Sequence, residues 1–177
     1  MLPLGTPAPD FRLPEPATGG WRTRDEVRGT AGLVVMFICN HCPYVKHVEA
    51  ELARVAHDYA PSGIGFVAIS SNDAERYPDD APAAMAVQAR RYPFPYLYDE
   101  TQAVAQAYQA ACTPDFYLFD AGLSLVYRGR LDGATPGNGV TVDGRDLRAA
   151  LDALLSGGAP SETQQPSLGC NIKWRAA

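Results

Sequence analysis

Apolar and polar positions alternate along this chain with periods that change from one segment to the next. "GLVVMFI", ending at Ile38, is a continuous apolar run rich in β-branched residues. Such a run between turn signals predicts a strand buried on both faces. After Pro43, apolar residues recur at Val45, Val48, Leu52, Val55 and Tyr59. Spacings of three and four predict a helix with one apolar face, leaving Lys46, Glu49, Glu51 and Arg54 mostly on the other. Pro61 and Gly63 end it, and "IGFVAIS" from Ile64 reads as a second buried strand. Strand, helix, strand in this order predicts a right-handed parallel unit.

The flanks are less regular. "LPLGTPAPDFRLPEPATGGW" predicts loop, with a short strand near Phe11–Leu13 and a turn at Gly19-Gly20. "SNDAERYPDDAP" reads as a solvated acidic loop, since it lacks the alternation and closing Glu of a calcium loop. Residues 83–91 and 100–110 are helix-prone, with "FPYLY" between them as a short strand. "DFYLFDAGLSLVYRGR" predicts a hairpin turned at Ala121-Gly122. "DLRAALDALLSG" predicts an amphipathic helix closed by Gly157-Gly158, and the last twenty residues read as coil. The order β-α-β, helices, β-hairpin, α predicts an α/β domain over 1–177, a central mixed sheet flanked by helices.

Composition narrows the function classes. The 177 residues suit one domain with a full core, and 46 % apolar with 20 % charged residues is ordinary for a globular protein. A net charge of −5 with scattered basic residues argues against a nucleic-acid or anionic-membrane partner. No stretch approaches the roughly 18 apolar residues that span a bilayer. "MLPLGTPAPD" has neither a cationic segment nor a hydrophobic signal core, so the expected location is cytoplasmic. In that reducing setting, two close cysteines are expected to be catalytic or metal-binding rather than a permanent bridge.

Two of the four cysteines stand three residues apart in "FICNHCPYV". With the strand ending at Ile38, Cys39 is expected at the helix N-terminus and Cys42 within the first turn. Unpaired N–H groups and the helix dipole there favour a thiolate. His41, as a cation between the two, would lower the thiol pKa further and make the disulfide more oxidising. A zinc site needs a second pair at ligand spacing, which is missing; Cys112 and Cys170 would complete four ligands only if the fold brought both in. A strand directly before the pair and a helix directly after it favour redox chemistry.

"CNHCPYVKHVEAEL" resembles the active site of the thioredoxin superfamily. "GTPAPDFRLP", "FICNHCPYV", "ISSND", "FPYLYDETQAVAQAY", "CTPDFYLFD", "LVYRGRLD" and "PSLGCNIKW" together resemble the peroxiredoxin-like redoxins, the alkyl hydroperoxide reductase/thiol-specific antioxidant-like family. The resemblance implies a thioredoxin-like fold with an N-terminal extension and a C-terminal coil tail. It also implies a cis peptide at Thr113-Pro114, in a substrate-docking loop facing the cysteines. Two features depart from the peroxiredoxin pattern: Cys39 stands where a Thr is usual, and Pro114 falls at or near the expected Arg. Arg128 and Arg130 are candidate substitutes, though as hairpin charges they are expected to be solvated. The strand before the pair also lacks the buried acid of thioredoxins, so proton transfer falls to His41, water or another carboxylate.

The resulting expectation is a thiol–disulfide oxidoreductase. Cys39 attacks a substrate disulfide, Cys42 resolves the mixed disulfide, and His41 tunes the pair. No cofactor or metal is expected. The partners are a disulfide-bearing protein or a small thiol or peroxide substrate, and a thiol reductant. Two alternatives stay open: a thiol peroxidase with Cys42 or Cys39 peroxidatic, and a metal-binding or metal-delivery module using the same thiolates. The tail over 159–177 is expected to dock with Trp174 as anchor. Cys112 and Cys170 are auxiliary thiols, bridged to each other or buried and unbonded.

Overall fold

The structure, a computed structural model, describes residues 1–176. Its centre is β3 (Gly32–Phe37), buried at all six positions. β3 pairs in parallel with β4 (Ile64–Ser70) and antiparallel with β7 (Asp115–Asp120). With β5 (Tyr96–Tyr98) outside β4 and β8 (Leu125–Gly129) outside β7, the order is β5-β4-β3-β7-β8. This is a mixed, thioredoxin-like sheet.

Because side chains alternate along a strand, β3 feeds two cores. Val34 and Met36 pack against α2 (Pro43–Tyr59) and α5 (Arg145–Leu155) through Val48, Leu52, Leu147 and Leu151. Leu33, Val35 and Phe37 face the opposite side, where Phe11, Leu13, Tyr108 and Ile172 cover them. An apolar run without alternation is what a strand covered on both faces requires.

Several elements differ from expectation. The N-terminal segment forms a hairpin, β1 (Arg12–Glu15) with β2 (Gly20–Thr23), followed by the one-turn α1 (Arg24–Val27). α1 is held by a capping box in which Thr23 and Glu26 serve each other's backbone N–H. α3 covers Pro82–Gln88 and continues as a tighter turn over Ala89–Arg91. α4 is only Ala103–Ala107, because Gln102 and Gln109 on either side adopt positive φ of 65° and 52°. Glu51 is buried rather than solvated, since Arg54 and Arg148 each donate to it at 2.7 Å.

The largest departures are the acidic loop and the tail. Asn72, Asp73 and Asp80 are buried while Glu75, Arg76, Pro78 and Asp79 stay exposed, so the loop is anchored in the interior near both ends and solvated between them. The tail forms β9 (Cys170–Asn171), antiparallel to β6 (Cys112–Thr113). Ile172 anchors it at 1 % exposure, whereas Trp174 stays 39 % exposed. Lys173 N–H donates to Asn72 Oδ1 at 2.8 Å, and Gln102 Nε2 donates to Lys173 O at 2.9 Å. Among the described residues, no helix is long and apolar enough to cross a membrane.

Asp99 ties these loops together. Fully buried, it accepts from Ser71 Oγ at 2.8 Å and from Ala105 N–H at 2.9 Å, which serves α4 where Gln102 offers no side-chain cap. Asp99→Ala strands two buried donors, each worth about 1–3 kcal/mol. Urea unfolding should show a loss of roughly that size, with the urea dependence of the free energy unchanged.

Candidate active site

β3 delivers the chain to Ile38, and four residues later α2 begins. Pro43 occupies the first helical position, where a missing N–H costs nothing. The N-cap is therefore Cys42, and Cys39 lies three residues ahead of that cap. This moves the helix-start position from Cys39 to Cys42. Both thiols are buried, Cys39 at 2 % and Cys42 at 0 % exposure.

Thr113 roofs the pair. Cys39 Sγ lies 3.5 Å from Thr113 Oγ1, and the Cys42 thiol donates to Thr113 O at 3.3 Å. The Thr113-Pro114 peptide is cis. Beyond the proline, Tyr44, Phe116, Arg130 and Leu168 line a hollow beside Pro114.

A carboxylate that the sequence did not single out sits below. Asp80, at 0 % exposure, accepts from Asn40 N–H at 2.7 Å, His41 N–H at 3.1 Å and Asn72 Nδ2 at 2.9 Å, and it contacts His41 Nδ1. With every other Asp80 partner a donor, the His41 contact is satisfied by Nδ1–H donating as well. The imidazole stacks on Tyr77, with 5.3 Å between ring centroids. Cys39 Sγ, one His41 ring nitrogen and one Asp80 oxygen all lie within 4.8 Å of one another. Thiol, imidazole and oriented carboxylate are thus clustered, with hydrogen bonds linking His41 to Asp80 and Cys39 to Thr113. The same three donors could approach a metal ion, but Asp80 has already spent its oxygens on four donors.

The two thiols are electrostatically unequal. Cys42 is drawn well below its ordinary value, first by the Cys39 thiol donating to it, then by Cys170 and Thr113, against the cost of burial. Cys39 is pushed up, because its proton serves Cys42, because it is buried, and because the Asp80 charge faces it. Ionising Cys42 forfeits its bond to Thr113 O, yet gains two thiol donors and the helix N-terminus. These influences favour the thiolate on Cys42 and the proton on Cys39.

The other candidates fall out as follows. All four cysteines are free thiols. Cys170 lies opposite Thr113 and Cys112 opposite Asn171, so strand alternation points Cys112 and Cys170 to opposite faces. Cys112 is half-buried with its sulfur 3.9 Å from Pro114 O, and burial pushes it up to about 12. Arg130 Nε donates to Asp146 at 2.6 Å and Arg128 Nη1 to Gln164 Oε1 at 3.2 Å, while Arg128 Nε is buried without a partner; both guanidiniums are turned to groups other than the cysteine pair.

This sheet, with a cysteine pair leading into α2 under a cis-proline loop, defines a thioredoxin-fold redoxin. The chain belongs to the AhpC/TSA family, whose model matches residues 4–128. An uncharacterized conserved protein from Geobacillus kaustophilus is 57 % identical, with a TM-score of 0.97 over 100 % of this chain and 95 % of that one. The thiol:disulfide interchange protein DsbE of Allochromatium vinosum is 30 % identical over 119 residues, 65 % of this chain. The match spans 60 % of that relative's length. Peroxidoxin BcpB from Mycobacterium tuberculosis shares the fold at 18 % identity and a TM-score of 0.64, covering 89 % of this chain and 98 % of that one.

Asp115, first residue of β7 beyond the cis-proline, gives a pH signature of this corner. Burial raises its carboxyl to about 6 from 3.8, although Ser167 Oγ and Tyr117 OH donate to it at 2.8 and 3.0 Å. The folded state therefore holds a proton that the unfolded chain releases near its lower, ordinary value. The stabilisation is complete below that lower value and is lost as pH rises through about 6. Asp115→Asn should flatten this dependence, read as the slope of unfolding free energy against pH between about 4 and 6.

Proposed function

We propose that this redoxin is a thiol–disulfide oxidoreductase in which Cys42 is the nucleophile and Cys39 the resolving thiol. The observation that carries the reading is the placement of β9. An extended strand already pairs with β6 and sets a cysteine, Cys170, opposite Thr113, whose carbonyl accepts from the Cys42 thiol. With β9 seated the pair is covered, so a substrate strand would take this edge in place of β9 and present its disulfide to the Cys42 sulfur. Recognition by strand addition draws on backbone hydrogen bonds and tolerates varied side chains.

In the first step the Cys42 thiolate attacks one substrate sulfur, and the other leaves as a thiolate that takes up a proton. Cys39 then loses its proton to His41, attacks Cys42 Sγ and releases the second substrate thiol. The product is a Cys39–Cys42 disulfide and a reduced substrate, and a thiol reductant returns the pair to its starting state. A high resting pKa at Cys39 explains why a base is placed beside it: the resolving thiol ionises only when His41, oriented by Asp80, accepts its proton. The hollow beside Pro114 offers the substrate's flanking side chains a place to pack. Engagement of Arg128 and Arg130 elsewhere supports disulfide exchange over peroxide reduction, which needs a fixed cation at the reacting oxygens.

Stopped-flow mixing of the reduced protein with a chromogenic aromatic disulfide tests the assignment. Cys42→Ser should slow release of the first aromatic thiolate on the order of a hundredfold or more, since no stabilised thiolate remains. Cys39→Ser should retain that first release. The reverse pattern would make Cys39 the nucleophile. Rapid, stoichiometric sulfenic acid on Cys42 at low hydrogen peroxide, with slow reaction towards disulfides, would replace the oxidoreductase reading by a peroxidase. His41→Gln should keep the first release and slow only the second, with a shifted pH profile for resolution.

A further inference from the structure

The cysteine pair is closed off, yet a working redox couple must pass its oxidising equivalent to a reductant. Three observations place a route in the tail. Cys170 packs against the buried cluster that holds Cys39 and Cys42, and it pairs with Thr113, whose carbonyl accepts from the Cys42 thiol; its thiol also favours a Cys42 thiolate. Cys170 is half-buried, whereas the pair is fully buried. Its seat is also built closely: at Gly169, the residue before it, an added Cβ would lie 1.9 Å from Thr113 O and 2.7 Å from Thr113 C. Only a glycine lets the tail come this near the loop that roofs the pair.

We infer that Cys170 is a third redox thiol, which accepts the disulfide from the buried pair and presents it at the surface. The inference rests on the Cys39–Cys42 couple proposed above. Starting from the Cys39–Cys42 disulfide, Cys170 gives its proton to solvent and its thiolate attacks Cys42 Sγ. The Cys42–Cys170 bond forms, the Cys39–Cys42 bond breaks, and Cys39 leaves as a thiolate that takes back a proton through His41. One disulfide is exchanged for another, so no outside oxidant or reductant is required for the step. The reductant then meets a half-exposed Cys170 sulfur.

The exchange is gated by the state of the pair. In the dithiol form, burial and the neighbouring Cys42 sulfur push Cys170 up to about 11. Once Cys42 is in a disulfide its charge is gone, and the Lys173 ammonium remains to favour the Cys170 thiolate. Cys170 is thus quiet while the pair is reduced and becomes reactive when it is oxidised. Cys112, turned to the other face of the β6–β9 ladder, takes no part.

Full-length reduced protein treated with hydroxyethyl disulfide, acid-quenched, alkylated and mapped without reduction tests this. Wild-type protein should yield both Cys39–Cys42 and Cys42–Cys170 peptides, with Cys112 alkylated throughout. Cys39→Ser should convert its Cys42 mixed disulfide into a Cys42–Cys170 bridge. In Cys39→Ser combined with Cys170→Ser, that mixed disulfide should last longer by on the order of tenfold or more, because an intramolecular thiol acts at millimolar effective concentration. Gly169→Ala, which pushes the tail from Thr113, should lose the Cys42–Cys170 peptide and keep Cys39–Cys42. A stable mixed disulfide in Cys39→Ser with Cys170 fully alkylated, beside normal Cys39–Cys42 formation in wild type, would overturn the relay and leave the pair standing. Failure of wild type to form Cys39–Cys42 at all would instead remove the couple on which the relay rests.

Discussion

Thr113 is the residue on which the site depends. Its hydroxyl contacts Cys39, its carbonyl contacts Cys42, and its backbone pairs with Cys170. The cis peptide to Pro114 follows it, and β7 carries the chain from there beside β3, the strand that delivers the cysteines. The two halves of the site are thus joined by the β3–β7 ladder, in which Phe37 lies opposite Asp115. Positioning sulfur chemistry with a strand pair rather than a flexible loop gives the precision that thiol exchange demands.

Burial and charge then divide the labour. Cys42, at the helix start, gathers donors; Cys39, facing Asp80, keeps its proton. This asymmetry makes the order of steps physical rather than arbitrary. In the mechanism proposed above, the low-pKa thiol attacks without help and the high-pKa thiol waits for a base. His41 lies between Cys39 and Asp80, a carboxylate held by the Asn40 and His41 backbone N–H groups, and in the proposed mechanism it serves as the base for Cys39.

The central βαβ unit was legible because its signals are local: an unbroken apolar run, a helical stripe, then another apolar run. The helix start was legible too, since Pro43 marks the first helical position and so makes Cys42 the cap; the spacing from Ile38 drew attention to Cys39 instead. Asp80 was hidden for a different reason. In "YPDDAP" nothing distinguishes a solvated carboxylate from one folded under the active site, because two of its donors, Asn40 and His41, come from the distant segment before α2 and the third, Asn72, from the start of its own loop. The tail likewise lacks a hydrophobic period, and its place is set by a single buried Ile172 and by side-chain bonds to Asn72 and Gln102. α4 shortened where two glutamines take left-handed backbone, a conformation their side chains do not announce.

The central claim is a reversible Cys39–Cys42 couple whose reduced form is held by a stabilised thiolate. Titration of the Cys170→Ser protein against defined ratios of reduced and oxidised glutathione, read by the mass of the peptide carrying both cysteines, tests it most directly. A stabilised dithiol form makes the couple more oxidising than thioredoxin's roughly −270 mV. The account predicts a single two-electron transition above that value, with loss of both thiols on that peptide alone. A potential below it, or glutathione adducts that never close to an intramolecular bridge, would contradict the account.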